Sequence, residues 1–365
     1  MNVPFVDLKA QYQRYKSEID SAIAQVIDQT AFISGKHAAA FEANFSDYTG
    51  VANTVACANG TDSLEIILNV LGVGPGDEVI VPAISWISTS EAVGTRGATP
   101  VFVDIDETYT IDPTKIEAAI TPKTRGIIPV HLYGCPANMP AIMAIAEKHE
   151  LFVFEDCAQS HGAEINDQRI ATFGTAASFS FYPGKNLGAY GDAGAMATDS
   201  EEIATKARMI ANHGQKAKHQ HFMEGRNSRM DGIHAAILNV KIPHIETWTD
   251  QRIAHAKRYC ELIDTSKYTV PFTPENARHV YHLFVIQTDK RDEVMAHLKD
   301  NDIQCAIHYP TPLPFLPCYD HLGHQEADFP VAANASKRIL SLPIYPEMTE
   351  DHIAYVAATL NKFNG

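Results

Sequence analysis

The sequence predicts an α/β protein, with a mainly parallel sheet flanked by helices and a smaller α+β domain after it. Between about residues 54 and 200, short apolar runs alternate with amphipathic stretches, the order that builds a parallel sheet with crossover helices. Several runs show no polar alternation, as expected for strands covered on both faces. Hydrophobic residues make up 45% of the 365-residue chain and charged residues 20%, which provides enough apolar material for a large core.

Seven apolar runs are the predicted strands. They are residues 54–58, 78–81, 100–103, 126–130, 151–154, 176–181 and 194–198. Residues 139–148, between the fourth and fifth runs, place Ile142, Ile145 and Ala146 at helical spacing, which indicates a crossover helix. This part of the chain therefore predicts a seven-stranded sheet with helices between its strands.

The pattern changes beyond Arg229. One long helix is predicted from Met230 to about Ile263, followed by a strand near residues 281–287 and a terminal helix near residues 351–361. We therefore expect a large domain and a smaller α+β domain that pack tightly together. The expected domains are residues 1–245 and 246–365.

The charge of the chain argues against several classes of partner. There are 29 Lys and Arg against 44 Asp and Glu, a net charge of −15, and so acidic a chain repels nucleic acid and anionic lipid. No run approaches eighteen consecutive apolar residues, and the first twenty residues lack the apolar segment of a secretory signal. We expect neither nucleic acid nor membrane as a partner.

Cysteine and histidine usage bears on compartment and metal binding. The six cysteines include no C-x-x-C pair, which argues against a disulfide framework or a zinc ribbon and favours the cytoplasm. The seventeen histidines include no H-E-x-x-H motif, and His213, His219 and His221 cluster in a polar segment. We expect a solvated loop there and no metal site.

Open parallel sheets bind ligands beyond the carboxyl ends of their strands, and a candidate helix start follows the first strand directly. After Asn59, Gly60 allows close backbone approach, and Asp62 with Glu65 forms a predicted capping box. The free amides of a helix start attract anions. The segment is therefore either a phosphate site or an ordinary helix cap.

Charged side chains follow two further strands and open the long helix. Asp156 comes after the apolar run 151–154, where a buried carboxylate costs free energy unless a cation or a hydrogen-bond donor meets it. Lys185 lies in a glycine-rich turn after an aromatic strand, where desolvation lowers a lysine pKa and makes the amine a nucleophile. Arg226 and Arg229 can grip a carboxylate or a phosphate. Each of these side chains also has an ordinary structural or solvated explanation.

Taken together, these elements match the needs of one cofactor. An aldehyde cofactor with a phosphate and a pyridine ring requires an amine, an anion site, a carboxylate for the ring nitrogen and an aromatic face. Lys185, the helix start at Thr61 with Ser180, Asp156 and Trp86 supply these parts from strand ends of one sheet. The sequence therefore predicts pyridoxal 5'-phosphate as the cofactor.

At this point the sequence resembles the fold-type I pyridoxal-phosphate enzymes, and specifically the sugar aminotransferases of the DegT/StrS family. The similarity covers nearly the whole chain and is carried by many motifs in order. They lie at residues 6–8, 32–35, 59–62, 75–79, 130–134, 155–159, 180–185 and 227–230.

The resemblance implies roles around the ring of the cofactor. Lys185 would form the covalent link to the cofactor and move protons between the α-carbon of glutamate and the sugar carbon. Asp156 would bind the pyridinium nitrogen, and Gln159 the phenolic oxygen. Trp86 would stack on the ring.

The resemblance also implies a shared phosphate site. Gly60, Thr61 and Ser180 would hold the phosphate, joined by Asn227 from a second subunit. Arg229, also donated by the second subunit, is similar to the residue that meets a carboxylate or phosphate of the substrate. We therefore expect a homodimer with two shared active sites.

The reaction that the resemblance implies is the transfer of an amino group from L-glutamate to a keto-sugar. Lys185 favours transamination over the dehydration catalysed by relatives that carry histidine at this position. Residues 306–312 are similar to enzymes that aminate carbon 3 of a nucleotide-linked keto-sugar, including a 3-keto uronic acid, so we expect His308 and Tyr309 to contact the substrate. The product would serve cell-surface polysaccharide synthesis, such as that of lipopolysaccharide O-antigen.

Other interpretations stay open. Residues 313–317 are more apolar than in those relatives, which leaves carbon 4 of a nucleotide sugar, or an aldehyde or keto acid sugar such as an oxidised octulosonate, with Arg229 or His308 as carboxylate partner. A non-catalytic regulatory protein that binds the cofactor or the sugar is a further alternative. A Rossmann dehydrogenase is rejected, because the glycines of residues 72–76 precede a strand rather than follow one.

Overall fold

A seven-stranded sheet forms the centre of the computed structural model, which describes residues 1–363. Twelve α-helices lie within those residues: Leu8–Asp28 (α1), Gly35–Thr49 (α2), Gly60–Val70 (α3), Ser88–Thr95 (α4), Pro113–Ile116 (α5), Met139–Lys148 (α6), Glu201–Ala211 (α7), Gly232–Lys241 (α8), Ile245–Leu262 (α9), Arg291–Asp300 (α10), Pro330–Arg338 (α11) and Glu350–Lys362 (α12). Fourteen strands lie within the same range: Asn53–Cys57 (β1), Glu78–Pro82 (β2), Thr99–Val103 (β3), Thr124–Ile127 (β4), Phe152–Asp156 (β5), Glu164–Ile165 (β6), Gln168–Arg169 (β7), Ala176–Ser180 (β8), Gly194–Thr198 (β9), Gln215–Ala217 (β10), Gln220–His221 (β11), Ala277–Arg278 (β12), Phe284–Gln287 (β13) and Ile339–Leu342 (β14).

The central sheet is mainly parallel, as predicted. Its strands lie in the order β1, β9, β8, β5, β4, β2, β3. β9 pairs antiparallel with both of its neighbours, whereas the remaining pairs of the sheet are parallel. Each of the seven predicted runs overlaps one of these strands, so the predicted sheet is confirmed. The carboxyl ends of six strands therefore meet at one edge.

Both faces of the sheet are covered, which explains the unbroken apolar runs. In β8, Ala176 packs into one hydrophobic cluster, and the next residue, Ala177, packs into a second. In β9, Met196 belongs to the first cluster, and Ala195 and Ala197 belong to the second. Successive side chains of a strand point to opposite faces, so a strand buried on both sides carries apolar residues throughout.

The helix predicted over residues 230–263 is in fact two helices. α8 ends at Lys241 and α9 begins at Ile245, with the 3₁₀ turn Ile242–His244 between them. Pro243 lies in this turn, and proline interrupts an α-helix because it has no amide hydrogen and clashes with the preceding turn. The prediction of one continuous helix was therefore wrong, although both of its halves are helical.

The C-terminal part of the chain has a hydrophobic cluster of its own. β13 and β14 pair antiparallel, and residues of α9, α10 and α12 pack with them, among them Tyr259, Leu298 and Val356. The strand and the terminal helix predicted in this region correspond to β13 and α12. The division into domains at residue 245 stays a prediction.

The first residues of the chain join this C-terminal cluster. Val3 is fully buried in it; its amide donates to Asp302 O at 2.9 Å, and its carbonyl accepts from Gln304 N at 2.9 Å. The amide of Phe5 donates to Gln304 Oε1 at 3.1 Å. Residues 3–5 therefore lie beside residues that follow them by about three hundred positions.

The histidine-rich segment is exposed, as predicted. β10 and β11 form a small antiparallel hairpin, and His213, His219 and His221 are all exposed.

Within residues 1–363, no helix combines the length and the apolar character that a membrane span requires.

Candidate active site

A cavity of about 760 Å³ lies at the carboxyl edge of the central sheet, where open α/β sheets bind ligands. Nine of the eleven predicted site residues line it: Gly60, Thr61, Trp86, Asp156, Gln159, Ser180, Lys185, His308 and Tyr309. They follow or end the strands β1, β2, β5 and β8, or come from the C-terminal part of the chain. The strand-end pattern in the sequence therefore located one common site.

The helix start beside the cavity is capped by Asn59 rather than by the predicted Asp62. The side chain of Asn59 accepts a hydrogen bond from Asp62 N at 2.8 Å, and Glu65 pairs with Arg226 instead of closing a capping box. The spacing of Asp62 and Glu65 fits a capping box in the sequence, but the side chain of Asn59 reaches the free amide first. The N-cap of α3 therefore lies ahead of Gly60, and the first amides of the helix lie beside the cavity.

These helix amides meet two hydroxyl groups. A Cβ added to Gly60 would lie 2.8 Å from Ser180 Cβ, so the helix start packs against the end of β8 so closely that glycine is required. Thr61 Oγ1 lies 2.7 Å from Ser88 Oγ, and Ser180 Oγ accepts from Tyr182 N at 3.3 Å. Amides at a helix start together with hydroxyl donors form an anion site of the kind a phosphate group requires.

Asp156 ends β5 and is held by two donors. Thr89 Oγ1 donates to its Oδ2 at 2.8 Å, and Ala158 N donates to its Oδ1 at 3.1 Å. Burial raises the pKa of Asp156, while these hydrogen bonds and the nearby Lys185 oppose that rise. A buried carboxylate held in this way is suited to a protonated ring nitrogen, which would complete its interactions.

Lys185 lies in a tight turn that begins directly after β8. Its amide donates to Tyr182 O at 2.8 Å, and a Cβ on Gly188 would overlap the carbonyl of Pro183, so the turn closes on glycine. Desolvation lowers the pKa of Lys185 to about 8, and Asp156 opposes this effect. A larger fraction of the amine is therefore unprotonated near neutral pH than in a free lysine, which favours nucleophilic attack.

An aromatic pair forms another part of the wall. Trp86 is 57% exposed, and its ring centroid lies 5.7 Å from that of Tyr309 at an angle of 46°. Gln159 Nε2 donates to the Tyr309 hydroxyl at 3.1 Å, and Gln159 Oε1 accepts from Tyr133 N at 2.8 Å. Both polar atoms of Gln159 thus have protein partners, and its contact with a phenolic oxygen stays a prediction.

His308 is a hydrogen-bonding group rather than a cation in this cavity. Burial and the nearby Lys185 lower its pKa to about 4, so the imidazole is neutral at neutral pH. Its Nδ1 lies 2.9 Å from Ser341 Oγ, and its ring stacks on Phe5 with centroids 5.6 Å apart. A neutral ring held in place can orient a sugar hydroxyl, but it offers no charge to a carboxylate.

Asn227 and Arg229 lie away from the cavity of their own chain. Asn227 is exposed and Arg229 half-buried, and neither lines the cavity. Arg229 Nη1 donates to Asn212 Oδ1 at 3.4 Å, and its Nε is buried with no hydrogen-bond partner in residues 1–363. The contribution of Asn227 and Arg229 to the active site of a second subunit stays a prediction.

The sequence analysis missed several polar residues of the wall, among them Thr89, Arg252 and His282. Thr89 holds Asp156, while Arg252 and His282 line the cavity from α9 and from the segment before β13. The run of hydroxyl residues after β2 was a signal for Thr89. No local signal marked Arg252 or His282, because their approach to the sheet depends on the packing of the C-terminal part of the chain.

A second buried cluster behind β5 is structural. His131, Glu155 and Cys157 place possible ligand atoms within 4.8 Å of one another. However, His131 Nδ1 accepts from Ala137 N at 3.0 Å and its Nε2 lies 3.1 Å from Glu155 Oε2, so neither ring nitrogen has a free lone pair. Glu155 also accepts from three amides of residues 171–174. The cluster fixes the end of β5 rather than a metal.

The family model described as the DegT/DnrJ/EryC1/StrS aminotransferase family matches residues 13–361. The chain belongs to this family. The predictions of a fold-type I sugar aminotransferase that depends on pyridoxal phosphate are thereby confirmed.

Individual relatives of this DegT/DnrJ/EryC1/StrS chain cover its whole length. A pleiotropic regulatory protein of Geobacillus stearothermophilus is 44% identical over 100% of this chain and 99% of its own. A UDP-N-acetyl-3-dehydro-alpha-D-glucosamine 3-aminotransferase of Acidithiobacillus ferrooxidans is 44% identical over 99% of this chain and 97% of its own. The crystal structure of S. venezuelae DesV in complex with a ketimine intermediate superposes with a TM-score of 0.96 at 41% identity, covering 99% of this chain and 98% of that one.

The residues of this family member fit its cofactor. The amides at the start of α3 and the hydroxyls of Thr61 and Ser180 suit the phosphate, and Asp156 suits the ring nitrogen. The lowered pKa of Lys185 suits attack on the aldehyde. Trp86, exposed beside this space, offers the ring an aromatic face.

Proposed function

We propose that the protein transfers the amino group of L-glutamate to carbon 3 of a nucleotide-linked keto-sugar. One observation carries the enzymatic part of the proposal: the cavity combines the Lys185 amine, the Asp156 carboxylate and the anion site at the start of α3. The position on the sugar is supported by the relative from Acidithiobacillus ferrooxidans, whose name specifies a 3-aminotransferase that acts on a UDP-linked sugar.

Each site residue has one task in this reaction. When bound, pyridoxal phosphate supplies an electron sink that stabilises negative charge at the carbon that loses a proton. Asp156 holds a proton on the ring nitrogen, and the anion site around Thr61 and Ser180 fixes the phosphate. Trp86 covers the ring and limits access of water. Lys185 Nζ takes a proton from the α-carbon of the donor and later delivers a proton to the sugar carbon.

We also propose a homodimer in which each subunit completes the site of the other. Asn227 would add to the phosphate site and Arg229 would meet the substrate, which gives a purpose to two polar side chains that lie away from the cavity of their own chain. Phe32 and Ile33 support this proposal, because they are 45% and 53% exposed and large apolar side chains at a surface mark association sites.

Finer features of the substrate belong to the proposal as well. A 3-keto uronic acid, and use of the product in polysaccharides such as O-antigen, are consistent with a cavity that has both hydrogen-bonding and apolar walls. We place the reaction in the cytoplasm, because nucleotide sugars are highly charged and do not cross membranes freely. A purely regulatory role would leave the lowered pKa of Lys185 unused, so we rank it second despite the name of the Geobacillus relative.

Absorbance spectra of the purified protein test the donor half of the reaction. L-glutamate is expected to convert the visible band of the bound cofactor to the near-ultraviolet band of its aminated form, and D-glutamate is the matched control. Borohydride reduction before glutamate is added should fix the cofactor on Lys185. A protein that binds pyridoxal phosphate but whose spectrum ignores every amino acid would contradict the proposal.

The acceptor half is tested with 3-keto and 4-keto sugars linked to UDP or dTDP, each with and without a carboxylate at carbon 6. The aminated protein is mixed with each sugar, and return of the visible band is followed together with the mass of the product. A clear preference for 3-keto sugars is the expected result. Preference for 4-keto sugars or for an octulosonate would replace the proposed acceptor.

A further inference from the structure

Arg252 is a buried cation in the wall of the cavity. It lies on α9, is 4% exposed, and lines the same space as Lys185. Its Nη1 donates to Ile344 O at 2.9 Å, to Tyr281 O at 3.2 Å and to His282 O at 3.5 Å. These three carbonyls orient the guanidinium, but carbonyls are neutral and form no ion pair with it.

The rest of the guanidinium lacks partners in the protein. Nε is buried and has no hydrogen bond with any of residues 1–363, and Nη2 forms none with that part of the chain either. Glu347 is the carboxylate that acts on Arg252 electrostatically, but the two form no ion pair within 4.0 Å. Burial lowers the pKa of Arg252 to about 10, so the group stays charged at neutral pH. Burying such a charge is costly unless an anion compensates it.

The charges of Arg252 and Lys185 both act on one histidine of the wall, His282. Burial lowers the pKa of His282, and the positive charges of Lys185 and Arg252 lower it further, so the ring is neutral at neutral pH. His308 is neutral as well, while Asp156 and Asp192 bring negative charge to the wall. Among the described wall residues, Arg252 is therefore the cation that stays available to a substrate anion once Lys185 has engaged the cofactor.

We propose that Arg252 binds the α-carboxylate of the amino donor. This inference rests on the proposed function, in which L-glutamate is the donor. The α-carboxylate is attached to the carbon whose proton Lys185 removes, so it needs a cation in the same part of the cavity. Guanidinium groups are preferred partners of carboxylates, and Nη2 is the nitrogen of Arg252 that keeps accessible surface and has no hydrogen bond within residues 1–363.

The same contact serves both halves of the transamination. The keto acid that leaves carries the α-carboxylate of the donor unchanged, and when it departs, Arg252 is again without a bound anion. A sugar hydroxyl can then accept a hydrogen bond from Nη2. Arg252 would thus select an α-carboxylate in the first half without obstructing the sugar in the second.

The assignment is tested by comparing L-glutamate with its amides as amino donors. Arg252→Gln is the test variant, Arg252→Lys is the conservative variant, and Arg258→Gln is the matched control. Arg258 lies on the same helix, is half exposed and pairs with Glu350 and Glu261 outside the cavity. The apparent Kd of L-glutamate in the first half-reaction is expected to rise about 10- to 100-fold in Arg252→Gln, the range for loss of hydrogen bonds between charged groups. Arg252→Lys should recover part of this loss, and Arg258→Gln should resemble the wild type.

The decisive readout is discrimination between L-glutamate and its α-amide. The wild type is expected to prefer the acid, and this preference should vanish in Arg252→Gln. If the lost preference is instead that between L-glutamate and L-glutamine, Arg252 binds the γ-carboxylate and the assignment is wrong. If Arg252→Gln weakens L-glutamate and keto-sugar equally, the residue merely holds its three carbonyls, which also overturns the inference.

A binding measurement without turnover completes the test. Calorimetric titration of 2-oxoglutarate into the pyridoxal-phosphate holoenzyme, in which Lys185 is engaged by the cofactor, should show binding to the wild type and at least a tenfold loss in Arg252→Gln. Equal binding by the two proteins would contradict the inference while leaving the proposed function intact. If the wild-type holoenzyme fails to react with L-glutamate at all, the proposed donor fails, and this inference fails with it.

Discussion

At the scale of single residues, burial and charge attraction have opposite effects on the pKa values of Lys185 and Asp156. Removal from water lowers the pKa of Lys185 and raises that of Asp156, while the attraction between the two charges acts against both shifts. Thr89 and Ala158 then stabilise the carboxylate form of Asp156. Of the two groups, Lys185, with its pKa lowered to about 8, can therefore release a proton near neutral pH.

Capture of the cofactor should follow the titration of Lys185. Only the unprotonated amine attacks an aldehyde, so the rate at which cofactor-free protein binds pyridoxal phosphate covalently should rise with pH and level off above a midpoint of about 8. Asp156→Asn should move this midpoint to lower pH, because Asp156 raises the pKa of Lys185. Stopped-flow absorbance measures the rate, and a midpoint close to that of free lysine would contradict the prediction.

Loss of the Thr89 hydroxyl should weaken cofactor binding. Thr89→Val keeps the shape of the side chain but removes a donor to Asp156, which makes the ionised carboxylate less favourable. The Kd of pyridoxal phosphate is expected to rise by about tenfold, the effect of one hydrogen bond to a charged group. Thr89→Ser retains the donor and should bind normally, so equal losses in the two variants would speak against this role.

At the scale of elements, the contact between the start of α3 and the end of β8 forms the anion site. The first turn of α3 packs directly on Ser180, and Gly60 is the position that permits this approach. Both elements follow from the strand-end geometry of a parallel sheet, in which the carboxyl ends meet at one edge.

Gly60→Ala should separate these two elements. The added Cβ would lie 2.8 Å from Ser180 Cβ, so the helix start must shift, and the affinity for pyridoxal phosphate and for free phosphate should fall at least tenfold. Gly74→Ala is the matched control, because a Cβ there meets nothing within 4 Å. Fluorescence titration with each ligand gives the affinities, and normal binding by Gly60→Ala would rule out this account of the anion site.

Elements with local signals were predictable, and contacts between distant segments were not. The seven strands were recognised because strands buried on both faces are continuous apolar runs, and Lys185 and Asp156 were recognised because charged residues follow such runs. The break at Pro243 was missed because helical periodicity continues on both sides of it. Arg252 was missed because its place in the cavity depends on carbonyls of residues 281, 282 and 344.

At the scale of the whole molecule, the cavity of one chain contains nine of the eleven predicted site residues. Lys185 and the anion site lie in the cavity, whereas Arg229 of the same chain does not line it. A C2 dimer would place the Arg229 of each subunit in the site of the other, since such an interface brings the same two surfaces together twice.

Mixing two inactive variants tests the shared site. Lys185→Ala and Arg229→Ala homodimers are each expected to lack turnover, because every site misses one residue. After denaturation and refolding together, about half of the dimers should be hybrids with one intact site, which gives about a quarter of the wild-type activity. No recovery, with hybrid dimers verified by native mass spectrometry, would mean that each chain completes its own site.

The contact of Val3 with residues 302–304 also constrains how the protein is made. The N-terminal segment emerges from the ribosome long before residues 302–304, its hydrogen-bond partners, are synthesised. These partners follow it by about three hundred positions. Phe5, which belongs to the wall of the cavity, therefore lacks its stacking partner His308 until late in translation. Nascent chains consequently complete the wall of the cavity late in synthesis, and an affinity tag fused just ahead of Val3 adjoins a segment that lines the site.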